Sequence, residues 1–375
     1  MIEAGFFYEA LVNRGVGFFT GVPDSLLKSF CAYITDHIDA TQHIIAVNEG
    51  AAIGLAAGYH LASGNIPLVY MQNSGLGNAT NPLLSLADAE VYSIPMILVI
   101  GWRGERGVHD EPQHIKQGKV TCVLLEDMEI PYADLSDEKD EAAEQIERAF
   151  RWIAKTNAPF AFVVRKNIFA PYTLQKNEAI EAKMSREEAI EEVLRTAPES
   201  GVFISTTGMA SREVYELREK HGYGHARDFL TVGSMGHASS VALGIALQRP
   251  ELPVICLDGD GAVLMHMGAL AAIGVKKPRN LRHIVLNNGA HDSVGGQPTI
   301  APNIDLPGIA RACGYVNVYS TQTAAELRAA LEANHDALTF IEVRVRKGAR
   351  KDLGRPKSTP LENKMELMNY IGGLS

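Results

Sequence analysis

Two short motifs at a fixed spacing are the clearest candidates for chemistry in this 375-residue chain: Asp258-Gly259-Asp260-Gly261 and, after 25 intervening residues, Asn287-Asn288-Gly289. The apolar run Pro253–Leu257 leads into the first motif, and His283–Leu286 leads into the second. A helix and a returning strand fill such a gap, so both turns should emerge side by side at one sheet edge. Glycines there let backbone N–H groups approach a diphosphate with no Cβ in the way. A carboxylate and an amide oxygen beside them are hard ligands of the kind Mg²⁺ takes while bridging to phosphates. A Gly-Asp-Gly turn alone is common in strand–helix loops. The asparagine pair at this distance makes the pattern specific. A nicotinamide enzyme would instead carry GxGxxG, but Gly75-Leu-Gly77-Asn-Ala-Thr80 and Gly259-Asp-Gly261-Ala-Val-Leu264 both lack the third glycine.

Further reactive side chains follow other apolar runs. In HIIAVNEGAAIGLAAG (43–58), Glu49 is one acid in an otherwise apolar stretch, at the start of a helical pattern. The helix macrodipole would explain a carboxylate at that position but not its apolar flanks. Asp24 and Ser25 follow the run Val16–Thr20, where Asp24 can cap a helix, carry a proton, or do both. The stretch Trp102–His114 follows Pro95–Ile100 and gathers Arg103, Arg106, His109 and His114. Two arginines and two histidines there suit a polyanionic substrate and a proton shuttle, with scattered solvated charges as the alternative. His291 and Gln297 lie on the loop that runs on from Asn288, near any centre the metal motif serves.

The elements that must position these groups are legible as apolar β-branched runs between helical patterns. Val16–Thr20, His43–Val47, Pro67–Met71, Pro95–Ile100 and Phe160–Arg165 read as strands, alternating with helices such as Glu49–Ala62 and Lys139–Ala154. Their hydrophobicity is continuous rather than alternating, as in parallel strands buried on both faces. The rhythm restarts at Ser185-Arg-Glu-Glu188, a capping box, with strands expected at Val202–Ser205, Pro253–Leu257, His283–Leu286 and Thr339–Val345. Ala170–Lys183 is polar and aperiodic and reads as a linker. The expected architecture is therefore α/β, two doubly wound parallel-sheet domains at 1–169 and 185–375 joined by 170–184, with no central domain.

Composition narrows the class. The net charge of −9 speaks against a nucleic-acid groove or an anionic membrane as partner. Four scattered cysteines form no CxxC, and the apolar run Pro95–Ile100 is far too short to span a bilayer. The start MIEAGFFYEAL lacks the marks of a signal peptide, so a cytoplasmic location is expected.

The Gly-Asp-Gly and Asn-Asn motifs resemble those of the thiamine diphosphate (ThDP) enzymes. The resemblance implies that Asp260, the side chain of Asn288 and the main-chain carbonyl of Ala290 ligate Mg²⁺, for which other divalent cations can substitute. It matches Glu49 to the glutamate that hydrogen-bonds the aminopyrimidine and drives ylid formation. Val232-Gly-Ser234-Met235-Gly236-His237 resembles the loop whose bulky side chain, here Met235, bends the cofactor. Thr207, Gly208, Gly259, Gly261 and Ala262 become further cofactor contacts. In this family the pyrimidine-binding (PYR) and diphosphate-binding (PP) domains of two chains share each cofactor, which implies a homodimer or a higher homo-oligomer.

The loops GVPDS, WRGERGVHDEPQH and NNGAHDSVGGQPT, with the tail from Lys347, are similar over nearly the whole chain to the phosphonopyruvate decarboxylase family. That likeness implies a small anionic 2-keto acid substrate, decarboxylated through an enamine to phosphonoacetaldehyde and CO₂ in phosphonate biosynthesis. Asp24, His109, His114 and His291 are then candidate proton carriers, and Arg103, Arg106, Ser25 and Gln297 candidate substrate contacts. Sulfopyruvate decarboxylase, or another ThDP-dependent 2-keto acid decarboxylase, is the alternative.

Overall fold

The structure, a computed structural model, describes residues 1–176, 181–333 and 336–373. The chain divides into two compact units. The first comprises 1–177 with 293–297, and the second 178–292 with 298–375. Among the described residues no helix is long and apolar enough to cross a membrane.

The first unit holds β1 (Val16–Gly21), β2 (His43–Ile45), β3 (Ile66–Gln72), β4 (Ile97–Gly101), β5 (Tyr132–Asp134) and β6 (Phe160–Val164). They form one parallel sheet in the order β2-β1-β3-β4-β6-β5. The continuous apolar pattern of β4 has a direct explanation. Ile97 and Val99 enter a core with Phe7, Phe30 and Phe162, while Leu98 and Ile100 enter the opposite core with Ile53, Val69 and Met71. Both faces of the sheet are buried, so no position along the strand is left for a polar residue.

The second unit holds β7 (Met184–Ser185), β8 (Val202–Ser205), β9 (Asp228–Leu230), β10 (Val254–Gly259), β11 (Leu281–Asn287), β12 (Asn317–Thr321) and β13 (Thr339–Arg346). The sheet is again parallel, ordered β12-β13-β11-β10-β8-β9, with β7 beside β13. Strands expected from the sequence appear with ends shifted by a few residues; β2 is the shortest survivor, stopping at Ile45 rather than Val47. The unforeseen strands β5, β7, β9 and β12 are two to five residues long. Three of them, β5, β9 and β12, end their sheets, where one flank needs no partner and little apolar signal is required.

The polar segment expected to link the domains is anchored along its first part. Tyr172 donates its N–H to Ser29 Oγ (3.2 Å) and its hydroxyl to Asp36 Oδ2 (3.0 Å), and the N–H groups of Gln175 and Lys176 reach Asp36 at 2.8 Å. Residues 177–180 of that segment lie outside the described residues.

In each sheet the strand order reverses once, between β1 and β3 and between β8 and β10. Helices leave the sheet on opposite sides at such a point, opening a crevice beyond the carboxyl ends of the two strands. The residues that follow β1, β3, β8 and β10 are those at Asp24, Asn73, Thr206 and Asp260.

Candidate active site

In the first unit, Asp24 lies just past β1 and is fully buried. Its Oδ2 accepts the Leu26 N–H at 2.8 Å, and its Oδ1 accepts Gln72 Nε2 at 2.6 Å. Gln72 ends β3, and its own amide is oriented by the Ser74 hydroxyl, which donates to Oε1 at 2.7 Å. Gly101, the last residue of β4, packs so close that a Cβ there would collide with Asp24 Oδ2. The carboxylate is thus gripped by two donors and a bare backbone.

Next to it, Arg103 is not a free cation. Its Nε donates to Asp110 Oδ2 at 2.8 Å, its Nη2 pairs with Oδ1, and its Nη1 donates to Ser25 Oγ at 2.8 Å. Asp110 also accepts the N–H groups of Gly104 and Glu111, each at 2.8 Å. Partial burial pushes the Asp110 carboxyl up, but Arg103 and these N–H donors outweigh it and hold the group well below the usual carboxylate range. Asn73 fastens the loop from beneath, donating Nδ2 to Arg103 O at 2.8 Å. His114, on the Pro112–Asp127 helix, is buried, and among the described residues its Nδ1 has no partner. Burial first, and then the Arg103 charge, lower its pKa, so the ring is held neutral. Arg106 and His109 are exposed, and among the described residues Arg106 joins no ion pair.

Glu49 opens the Glu49–Ser63 helix, whose N-cap Asn48 accepts the Gly50 N–H at 2.8 Å. The carboxylate is 5% exposed. Asn78 Nδ2 donates to its Oε2 at 2.8 Å, and a Cβ on Gly75 would come within 2.5 Å of Oε1. Gln297, at the end of the segment that groups with this unit, is fully buried, and among the described residues neither of its amide atoms has a hydrogen-bond partner.

In the second unit, β10 delivers Asp260 and β11 delivers Asn288, and the two motifs meet. Asp260 accepts main-chain N–H groups from Gly261 and from Asn288, with the Thr299 hydroxyl on Oδ2 at 2.5 Å. Burial pushes its pKa up to about 6, since the carboxylate is 2% exposed and no lysine or arginine pairs with it among the described residues. Asp260 is a dehydrated acid held by neutral donors, and the Asn288 main chain that reaches it also brings an amide oxygen and the carbonyl of the buried Ala290, donors of the all-oxygen kind that a hard divalent cation takes. The residues present therefore fit Mg²⁺.

Around that set, Gly208 (φ +93°), Gly233 (φ +63°), Ser234 (φ +47°) and Gly236 (φ +84°) bend left-handed, and Thr207 Oγ1 accepts the Gly233 N–H at 3.0 Å. Ser234 is the costly one, since a side chain rarely adopts that conformation without a local purpose. A Cβ on Gly261 would lie 3.2 Å from His291 Cε1 and 3.4 Å from Met235 Cε, so these three converge. Burial lowers the His291 imidazole to about 4. A second cluster of potential ligands, Cys256, Asp258 and His283, lies within 4.8 Å in the core. Its imidazole and carboxylate are already engaged: His283 bonds Asp258 (3.2 Å) and Tyr315 (3.0 Å), and Asp258 accepts the Gly259 N–H (2.9 Å).

Sequence reasoning missed Gln72, Ser74, Asn78, Asp110 and Thr299. For Gln72 a signal exists: it is a polar residue closing the apolar strand IPLVYMQ at its carboxyl end. Asp110 lies in the charged stretch Trp102–His114, but nothing in spacing says which arginine it pairs with.

Residues 4–122 match the N-terminal TPP binding domain of the thiamine pyrophosphate enzymes, and residues 204–343 match their C-terminal TPP binding domain. The chain thus carries both TPP binding domains of a thiamine pyrophosphate enzyme. A phosphonopyruvate decarboxylase from Streptomyces viridochromogenes is 36% identical over 96% of this chain and 93% of its own length. One from Streptomyces hygroscopicus is 35% identical over 96% and 92%. A sulfopyruvate decarboxylase from Methanosarcina acetivorans is 28% identical over 91% and 90%. The chain belongs to the phosphonopyruvate decarboxylase family of thiamine pyrophosphate-dependent enzymes.

Proposed function

We propose that this enzyme decarboxylates 3-phosphonopyruvate to phosphonoacetaldehyde and CO₂, using ThDP held through Mg²⁺. The observation that carries the substrate is the likeness at 36% identity along 96% of the chain to a protein of that activity, against 28% for the sulfonate enzyme. The 1–169 half would supply the pyrimidine side and the 185–375 half the diphosphate side. When bound, ThDP supplies an electron sink for the pair left as CO₂ departs. Asp260, Asn288 Oδ1 and the Ala290 carbonyl would hold the cation, with Thr207, Gly208, Gly259, Gly261, Ala262 and Ser234 lining the diphosphate and Met235 shaping the cofactor. Glu49 would hold a proton for the pyrimidine, in an apolar helix start where Asn78 fixes one of its oxygens.

At the reacting end, Asp24 would deliver a proton at Oδ1 or Oδ2, its orientation set by Gln72 and Leu26. His114, His109 and His291 remain candidates for the same task, with His114 and His291 held neutral. Recognition of the trianionic substrate divides between two arginines. The Arg103 charge is matched by Asp110, so it would act by directing its remaining N–H donors alongside Ser25. Arg106 would supply the unmatched charge, and Gln297 an amide with both ends free. A location in the cytoplasm belongs to the same reading.

Self-association is part of the proposal. Ala51, Gly54, Leu55, Gly58, Leu61 and Ala62 form one exposed apolar stripe on the Glu49–Ser63 helix, with Leu61 73% exposed, which supports a homodimer packed there. A monomer in sedimentation at micromolar concentration would refute that part. The deciding assay measures CO₂ release from phosphonopyruvate, sulfopyruvate and pyruvate side by side. Phosphonopyruvate should be turned over far faster than the others, and equal or faster turnover of sulfopyruvate would overturn the substrate.

A further inference from the structure

Arg186 is the first residue of the Arg186–Thr196 helix, where the macrodipole disfavours a cation, and its side chain is only 7% exposed. Such a residue persists only with strong partners. Glu213, 1% exposed, takes Nε at 2.7 Å and Nη2 at 3.0 Å. The remaining arm, Nη1, reaches Asp292 Oδ2 at 3.0 Å. Two further donors converge on that same oxygen: the Gly348 N–H at 3.0 Å and Asn288 Nδ2 at 2.6 Å.

The last contact has a consequence for the metal loop. A carboxamide can turn end over end at little cost in shape, exchanging its oxygen for its nitrogen, and only its hydrogen bonds decide which end points where. With Nδ2 drawn to Asp292, Oδ1 is the end left for a cation, and the Ala290 N–H at 3.1 Å marks the same end as the oxygen. Gly348 reaches Asp292 from a segment that is itself strapped to the two helices carrying Arg186 and Glu213. Arg350 bridges Glu187 (3.0 Å) and Glu216, and the Gly354 N–H donates to Glu216 at 2.5 Å.

We infer that Asp292, held by Arg186 and by the main chain of the 347–354 strap, is the positioning residue that fixes the polarity of the Asn288 carboxamide and so builds the cation site. The inference rests on the Mg²⁺ reading above and extends it to a part of the chain with no contact to the cofactor motifs in sequence.

The test is equilibrium binding of ThDP to the full-length, cofactor-stripped protein as Mg²⁺ is titrated, followed by the same titration with Mn²⁺ read by its EPR signal. Asp292→Leu should raise the Mg²⁺ concentration for half-maximal ThDP retention about tenfold or more, the usual cost of removing a partner behind a metal ligand. At saturating Mg²⁺, ThDP affinity should return to about the wild-type value, which a general loss of structure would not permit. Asp292→Asn keeps an acceptor oxygen for Asn288 and should recover most of the loss. Arg350→Ala, a surface change, should move the constant in the same direction by a smaller factor and guards against misfolding of the Leu variant. Unchanged Mg²⁺ dependence in both Asp292→Leu and Arg350→Ala would overturn the inference. Wild-type ThDP binding that ignores divalent cations would overturn the cation reading itself.

Discussion

Replacing Gln72 with leucine removes one of the two donors that grip Asp24 while leaving a side chain of similar volume. The Gln72 Nε2–Asp24 Oδ1 bond is 2.6 Å long, and Asp24 is fully buried, so no solvent stands ready to take the donor's place. A hydrogen bond to a charged group contributes about 1.5–3 kcal/mol, and the orphaned carboxylate bears most of that as desolvation. We expect a stability loss of about 2 kcal/mol, which for a unit of this size is a fall in Tm of about 4–8 °C. If the same bond orients Asp24 for proton delivery, kcat/KM should fall about 30-fold, since each 1.4 kcal/mol is a factor of ten. Ser74→Ala is the control. It leaves the donor in place and only loosens the amide that Ser74 orients at 2.7 Å, so its effect should stay under about 1 kcal/mol. The measurements are calorimetric unfolding and steady-state decarboxylation on the ThDP-loaded enzyme. A Gln72→Leu variant within about 1 °C of wild type and with unchanged kcat/KM would refute the reasoning.

Three further outcomes are expected. Arg106→Ala should raise KM for phosphonopyruvate at least tenfold while Arg106→Lys stays within a few-fold, whereas Arg103→Lys should already fail because it cannot span both Asp110 oxygens and Ser25; equal sensitivity of the two positions in steady-state kinetics would contradict the division of roles. Asp260→Ala should abolish Mg²⁺-dependent ThDP retention, and Glu49→Gln should remove turnover while ThDP stays bound; calorimetric titration separates the two, and tight binding by the first variant would count against the metal site. His43, whose Nε2 bonds the Tyr70 hydroxyl at 2.9 Å, has its pKa lowered by burial, and secondarily by Lys176, to about 4. The unfolded chain therefore binds the extra proton first, so stability falls as pH drops from about 6.5 toward 4 and levels off below, by at most about 3 kcal/mol. His43→Gln should flatten that slope in urea titrations, and an unchanged slope would exclude this histidine as its source.

Parallel sheets wear their burial openly: a strand like Ile97–Gly101, covered on both faces, must be apolar at every position, so it was readable without coordinates. The edge strand Asn317–Thr321, largely half-buried and polar, carried no such mark. The Asp260 and Asn288 motifs were readable because their spacing is a count of residues along one helix and one strand. The pairing of Arg103 with Asp110 was not. Five charged side chains within a dozen residues can pair in several ways, and the choice depended on the φ +73° bend at Gly104 and on Asn73, thirty positions earlier in the chain, holding the loop from below.

The same division runs through the whole protein. Local order along the chain was enough to announce two α/β halves, the glycine turns, a glutamate in an apolar helix start and the Asp260 and Asn288 turns, because each depends on residue type and short-range geometry. What only the folded chain decided are contacts between residues far apart in sequence. These include Gln72 on Asp24 across 48 positions, Thr299 on Asp260 across 39, and Arg186 on Asp292 across 106. A hydrogen bond needs its atoms within a few tenths of an ångström and correctly aimed. That accuracy comes from the packed sheet edges that bring these loops together, and nothing in the order of the amino acids expresses it until the sheets have formed.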